Sequence, residues 1–231
     1  MRSSGPALDR APWDQQLARR LVRPLASTPL TPNHVTTLSL LLAVAAGVLF
    51  ASGGAAAQVW AATLFILGRF VDHADGELAR LTGRSSPLGH YYDYAVGALS
   101  SLALFLGLGI GLREGALGGW TLPVGLAASA FAVGAMLLGL GTETRQGSPT
   151  VVYPARWRLE LEDGIYLLPL VVWLGWLTPV FLLMALGQTL FCGWVLSKFL
   201  RAGRSAARRP SSWPAARRAR GRRRGPRSTG G

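Results

Sequence analysis

Six mostly apolar runs separated by short polar breaks decide what this chain can become: roughly 34–53, 56–72, 90–112, 119–141, 163–177 and 179–199. Lipid offers no partner for backbone N–H and C=O groups, so a segment crossing it must be a helix of about 20 such residues. The runs predict an all-α, polytopic membrane protein with six transmembrane helices. The fifth run is the short one, bounded by Asp163 and Thr178-Pro179, and Gly175 with Pro179 offers the alternative of a turn within a single helical hairpin.

Composition agrees. Only 15% of the residues are charged, against about 25% in a soluble domain. The net charge of +13 is unevenly placed: residues 201–231 hold 11 of the 24 Lys and Arg and no acid, which leaves residues 1–200 with 13 basic and 11 acidic groups. A nucleic-acid-binding surface spread over the whole chain is thereby excluded. The single cysteine, Cys192, excludes a disulfide scaffold and a cysteine-based zinc site.

Three parts are expected. Residues 1–33 form a leader with an interfacial helix, 34–200 the six-helix catalytic domain, and 201–231 a disordered, Arg-rich cytoplasmic tail. In the leader, Trp13, Leu17, Leu21 and Leu25 recur every four residues while Arg19, Arg20 and Arg23 take other faces, as in a helix lying in the membrane interface. A secretory signal does not fit, because the first apolar run starts after about 33 polar and mixed residues and lacks a small-residue cleavage site. Thr31 and Pro32 suit the N-cap and first position of the first span. The tail is expected to bind anionic lipid, at about 1 kcal/mol per Arg near the surface. RNA is the weaker partner, with no companion domain and Trp213 as the tail's one aromatic residue.

Basic residues in short loops set topology. The breaks near 54–55 and 113–118 carry only Arg113. The alternate side carries Arg10, Arg19, Arg20, Arg23, Arg80, Arg84, Arg145, Arg156, Arg158 and the tail. Both termini are therefore expected in the cytoplasm. Arginine outnumbers lysine 23 to 1, a bias of GC-rich bacterial genomes, so the cytoplasmic membrane of a bacterium is the expected location. Gly107, Gly109 and Gly111, and likewise Gly134, Gly139 and Gly141, are expected to let helix backbones approach closely.

Chemistry concentrates between Phe70 and Gly97, which contain Asp72, Asp75, Glu77 and Asp93, four of eleven acids, at the cytoplasmic ends of two spans. Ionisable residues at such depth are expensive and usually functional. Asp72 and Asp75 share a helix face, and the following hairpin can return Asp93 to them. Converging carboxylates without matching lysines call for a cation, and all-oxygen donors favour Mg²⁺ or Mn²⁺ together with substrate phosphate. Gly76 and Ala79 leave a trench along the same helix, and Arg80 can reach back to a phosphate.

The pattern D-x2-D-G-x2-A-R-x8-G-x3-D-x3-D resembles the signature of the CDP-alcohol phosphotransferases, polytopic membrane enzymes of phospholipid synthesis. Asp72, Asp75, Gly76, Ala79, Arg80, Gly89 and Asp93 fill seven of its eight positions. Thr31-Pro32-Asn33-His34-Val35-Thr36 resembles the family's entry to its first span. The resemblance implies a CDP-linked donor, often CDP-diacylglycerol, whose phosphoryl-alcohol unit passes to an acceptor hydroxyl with release of CMP. It also implies two divalent ions on Asp72, Asp75 and Asp93, and donor contacts from Gly76, Ala79, Arg80, Gly89, Asn33 and Thr36. A homodimer is expected on the same ground alone.

The eighth position departs: where the family carries an aspartate proposed as proton acceptor, this chain has Gly97. Another base could serve, the metal-bound acceptor could ionise without one, or the chain could be silent. His90, His73 and Glu77 are the nearest titratable groups, each read first as structural. His90, about two turns away on the same face, is the one candidate base among them, with a long distance to reach. Arg145, Arg156 and Arg158 are candidates for holding a phosphorylated acceptor, although a positive-inside loop would carry them anyway. The main alternative is a catalytically silent relative that binds CDP-lipid or anchors partners. An aspartate-motif prenyltransferase would need a second acidic cluster, and Glu160 to Asp163 has the wrong spacing for one. A transporter would need more charge within the spans.

Overall fold

Proline and glycine place the breaks between helices. The computed structural model of the chain describes residues 13–84, 86–146 and 161–207, and among these the regular structure is helical. Seven α-helices follow in order: α1 Trp13–Val22, α2 Pro32–Ala51, α3 Ala55–Thr82, α4 Pro87–Gly111, α5 Thr121–Gln146, α6 Leu168–Trp173 and α7 Leu177–Ala207. Short 3-10 segments occupy Pro24–Ser27, Gly118–Trp120 and Leu161–Leu167.

The entry to α2 forms as its sequence predicts. Thr31 is the N-cap, Pro32 stands in the first turn, and the Thr31 hydroxyl accepts from the His34 N–H while the His34 ring accepts from the Thr31 N–H. That reciprocal pair satisfies two of the four N–H groups that a helix start leaves open. α1 stops at Val22, earlier than the expected 25, because Pro24 has no N–H to continue it.

Five helices, α2, α3, α4, α5 and α7, are long and apolar enough to cross a membrane. Their outward faces carry Leu41, Val48, Trp60, Leu137, Leu183 and Leu190, all more than 60% exposed. Apolar side chains outside and small residues inside mark an integral membrane protein. The run at 163–177 forms a shorter apolar helix than the other runs. Its apolar helix covers only Gly164–Trp173. Gly175 then adopts a left-handed conformation, and the Gly175 and Trp176 N–H groups bond the Val172 and Val171 carbonyls. A helix closes in this way with a glycine cap.

Glycine sets how tightly the bundle packs. α2 lies against both α3 and α4, α4 against α5, and α5 against α7, while α6 rests on α3. Where α2 and α4 meet, a Cβ on Gly107 would overlap the Gly47 carbonyl, and one on Gly111 would overlap that of Phe50. Where α4 meets α5, the buried Thr121 hydroxyl donates to the Gly109 carbonyl at 2.8 Å. These contacts fix α4 between its neighbours.

α3 continues ten residues past the expected end at 72 and closes on the left-handed Gly83. The buried Ala18 and Val22 of α1 pack against Ala74 on this extension, with Phe70 and Leu81 alongside. Leu17 and Leu21 stay exposed on the other face. Asp75 and Glu77 stand on this extension, and Asp72 at its start.

Candidate active site

Asp72 and Asp75 lie on α3, Asp93 lies in the second turn of α4, and α2 packs against both helices. One carboxylate oxygen from each aspartate falls within 4.8 Å of the others. Asp75 is buried, Asp72 half-buried and Asp93 exposed. Thr36 of α2 donates its hydroxyl to Asp75 Oδ2 at 2.5 Å, and Arg69 Nη1 pairs with Asp72 Oδ2 at 3.2 Å. One guanidinium against three carboxylates leaves the group net negative. Hard divalent cations suit such an all-oxygen set.

A cavity of about 180 Å³ opens beside the cluster. Asp75, Asp93, Gly76, Ala79, Gly89, Asn33 and Thr36 line it, so seven sequence candidates share one wall system. His90 lines it too, whereas His73 does not. Gly89 is there for want of room. A Cβ would stand 3.1 Å from both Asn33 Oδ1 and Ser86 Oγ, and the Gly89 N–H donates to Ser86 Oγ at 3.0 Å as the cap of α4.

Arg80 reaches back along α3 toward Gly76, which lines the cavity. Its Nη2 bonds the buried Glu77 at 2.7 Å, and its guanidinium rests near Gly76, 3.6 Å from where a Cβ would be. It sits at the margin, while Arg84 lines the cavity itself. Arg145 stacks on the Phe199 ring of α7, 3.9 Å from its centroid, and is absent from the lining. Arg156, Arg158 and the tail beyond 207 lie outside the described residues.

At Gly97, a Cβ would meet Met136 Cε of α5 at 3.3 Å. The place of a fourth carboxylate is thus covered by a methionine tip. Nearer the cavity, His90 Nε2 stands 3.2 Å from Glu143 Oε2, and the Tyr94 hydroxyl donates to the same oxygen at 3.0 Å.

Sequence reasoning passed over Arg69, Ser86 and Glu143, and read Arg84 only as a topology marker. Ser86 had a signal, a serine directly before Pro87 at a helix start. Glu143 had one too, as the sole acid among the residues of α5. Arg69 had one as well, an arginine inside the apolar run at 56–72 and three residues before Asp72, whereas Arg84 had none, since its place in the cavity comes from folding.

The model of the CDP-alcohol phosphatidyltransferase family matches residues 29–198, about three quarters of the chain. The chain belongs to this family. Its reaction class is therefore transfer of a phosphoryl-alcohol unit from a CDP-linked donor to an acceptor hydroxyl, in phospholipid synthesis. Archaetidylinositol phosphate synthase of Pyrococcus horikoshii is 25% identical over 180 residues, covering 74% of this chain and 92% of that protein. Among solved structures, phosphatidylinositol phosphate synthase of Mycobacterium tuberculosis with CDP-DAG bound matches with a TM-score of 0.56 at 19% identity, over 87% of this chain and 96% of that one. A structure of the same protein in complex with manganese and citrate matches with a TM-score of 0.56 at 18% identity, over 87% and 91%. At such identities the likeness shows a shared fold.

Proposed function

We propose that this CDP-alcohol phosphotransferase takes CDP-diacylglycerol or a close CDP-lipid as donor and a phosphorylated polyol as acceptor, at the cytoplasmic face of the membrane. The observation carrying the site assignment is the meeting of Asp72, Asp75 and Asp93 within 4.8 Å, beside a cavity and with one arginine against them. Asp72, Asp75 and Asp93 would hold two Mg²⁺ or Mn²⁺ ions, which neutralise charge on the phosphoryl oxygens and on the departing CMP. Thr36 orients Asp75 through its hydroxyl. Asn33, Gly76, Ala79 and Gly89 give the donor a wall free of bulk, with Arg80 at its edge and Arg84 inside. At about 180 Å³ the cavity is smaller than the roughly 300–1,000 Å³ of a pocket enclosing a whole ligand. It suits the phosphates, with cytidine and acyl chains lying outward. The likeness to an archaeal archaetidylinositol phosphate synthase and a mycobacterial phosphatidylinositol phosphate synthase supports the phosphorylated acceptor.

The remaining architecture follows the sequence reading. Six spans, counting the segment around α6, leave both termini inside, with the Leu17 and Leu21 face of α1 on the membrane surface and the tail on anionic lipid. Residues 1–33, 34–200 and 201–231 then act as leader, catalytic domain and tail, in a bacterial homodimer.

The test is CMP release from CDP-diacylglycerol by the purified chain with Mg²⁺ or Mn²⁺ and pooled polyol phosphates, with Asp75→Asn as the blank. Acceptor-dependent release above the blank supports the reading. Donor binding without release favours the silent-relative reading, for which the methionine tip over Gly97 is the specific observation.

A further inference from the structure

When the acceptor oxygen attacks phosphorus, its hydroxyl proton must go somewhere. On the reading above, which this inference deepens, the aspartates are committed to cations. Among the remaining lining residues the titratable groups are Arg84, which stays charged, and His90. His90 is held from α5. Its Nε2 faces Glu143 Oε2 at 3.2 Å, and the Tyr94 hydroxyl anchors the same oxygen at 3.0 Å. The His90 and Tyr94 rings meet edge-on with centroids 5.1 Å apart. A neutral imidazole whose Nε2 faces a carboxylate carries its hydrogen there and leaves Nδ1 as the acceptor.

One helix seam produces this arrangement. Gly97 faces Met136, the Tyr94 ring lies 3.7 Å from where a Cβ of Gly139 would be, and His90 meets Glu143. Going down α4 by three and four residues goes up α5 by three and four, as two antiparallel helices in register require. The seam that covers position 97 with Met136 therefore also delivers a carboxylate to His90, two turns closer to the cavity.

We propose that His90, oriented by Glu143, is the proton acceptor for the acceptor hydroxyl in place of a carboxylate at position 97. The acceptor O–H bond breaks and its proton passes to His90 Nδ1. The oxygen bonds to the donor phosphorus, and the P–O bond to CMP breaks with its electron pair on CMP. Glu143 offsets the imidazolium charge until the proton leaves to water. His90 is the catalytic residue and Glu143 a positioning residue.

The test uses the full chain with Mn²⁺, CDP-diacylglycerol and the polyol phosphate pool. His90→Gln is expected to lower kcat by about 10²–10⁴-fold, the usual worth of a general base, with the donor KM and Mn²⁺ binding by EPR unchanged. Added imidazole is expected to restore part of the turnover of His90→Gly. Glu143→Gln is expected to lower kcat, and the double variant to be no slower than His90→Gln alone. The chain has three histidines, so ¹⁵N imidazole spectra can report His90 directly. They are expected to show the Nε2–H tautomer, lost in Glu143→Leu, which leaves no acceptor at Nε2. Retained kcat in His90→Gln, an additive double variant, or an Nδ1–H tautomer overturns the dyad while leaving the transferase intact. A wild-type chain that binds Mn²⁺ yet releases no CMP overturns the transferase reading and the dyad with it.

Discussion

Asp75 is the carboxylate whose loss the site can least absorb, being buried, bonded by Thr36 and part of the three-aspartate cluster. Asparagine keeps its shape and can still accept from Thr36, but it loses the charge that a divalent ion needs. Asp75→Asn is expected to lower CMP release at least about 100-fold and to weaken Mn²⁺ binding measured by EPR; wild-type values for both would discard the site. Gly89→Ala is subtler. Its methyl group would press on Asn33 Oδ1 and Ser86 Oγ, so the donor KM is expected to rise several-fold while the melting temperature in detergent barely moves. A changed melting temperature with an unchanged KM would make Gly89 a folding residue instead. Asp75 was legible in the sequence because a cation site demands acids at a fixed helical spacing, whereas Gly89 was legible only through the family resemblance. The His90 and Glu143 contact was not, since its members stand 53 residues apart and meet only through helix register.

Helices were legible wherever one force dominated. Long apolar runs gave α2, α3, α4, α5 and α7, because a backbone in lipid has no other way to satisfy its polar groups. At 163–177 two demands compete. Hydropathy asks for a span, but Pro169 sits in the first turn of α6 and Gly175 closes it. The ten-residue extension of α3 escaped hydropathy for the opposite reason, since helix propensity carries a chain onward after its apolar residues end. Close packing was foreseen for glycines as a class, yet the structure divides them. Gly107 touches the Gly47 backbone, whereas Gly187 of α7 has nothing within 4 Å of a would-be Cβ. Gly107→Ala is thus expected to destabilise by about 1–3 kcal/mol through overpacking. Gly187→Ala, which adds only helix propensity, is expected to be neutral or stabilising by up to about 1 kcal/mol. Thermal melts of the two variants in one detergent check the contrast, and equal losses would mean that the α2 and α4 contact is looser than the backbone geometry requires.

For the whole molecule, charge is the property that local geometry does not contain. Residues 208–231 carry nine arginines and no acid, so removing them lowers the net charge from +13 to +4. Among the described residues, the cluster and the cavity are built from α2, α3, α4 and the turn between α3 and α4. Chemistry and membrane-surface attraction should therefore separate cleanly in a chain cut after Ala207. In neutral detergent its turnover is expected to match that of the full chain, because the reacting groups all come from the helices. On vesicles containing anionic lipid, the isolated 208–231 peptide is expected to bind strongly at low salt, each arginine near the surface contributing about 1 kcal/mol. That binding should fade as salt shortens the screening length from about 10 Å at 0.1 M to about 3 Å at 1 M. Sedimentation of the peptide with vesicles across that salt range measures it. Salt-independent binding would point to Trp213 or another apolar contact in place of charge, and lost turnover of the shortened chain in neutral detergent would give the tail a part in catalysis.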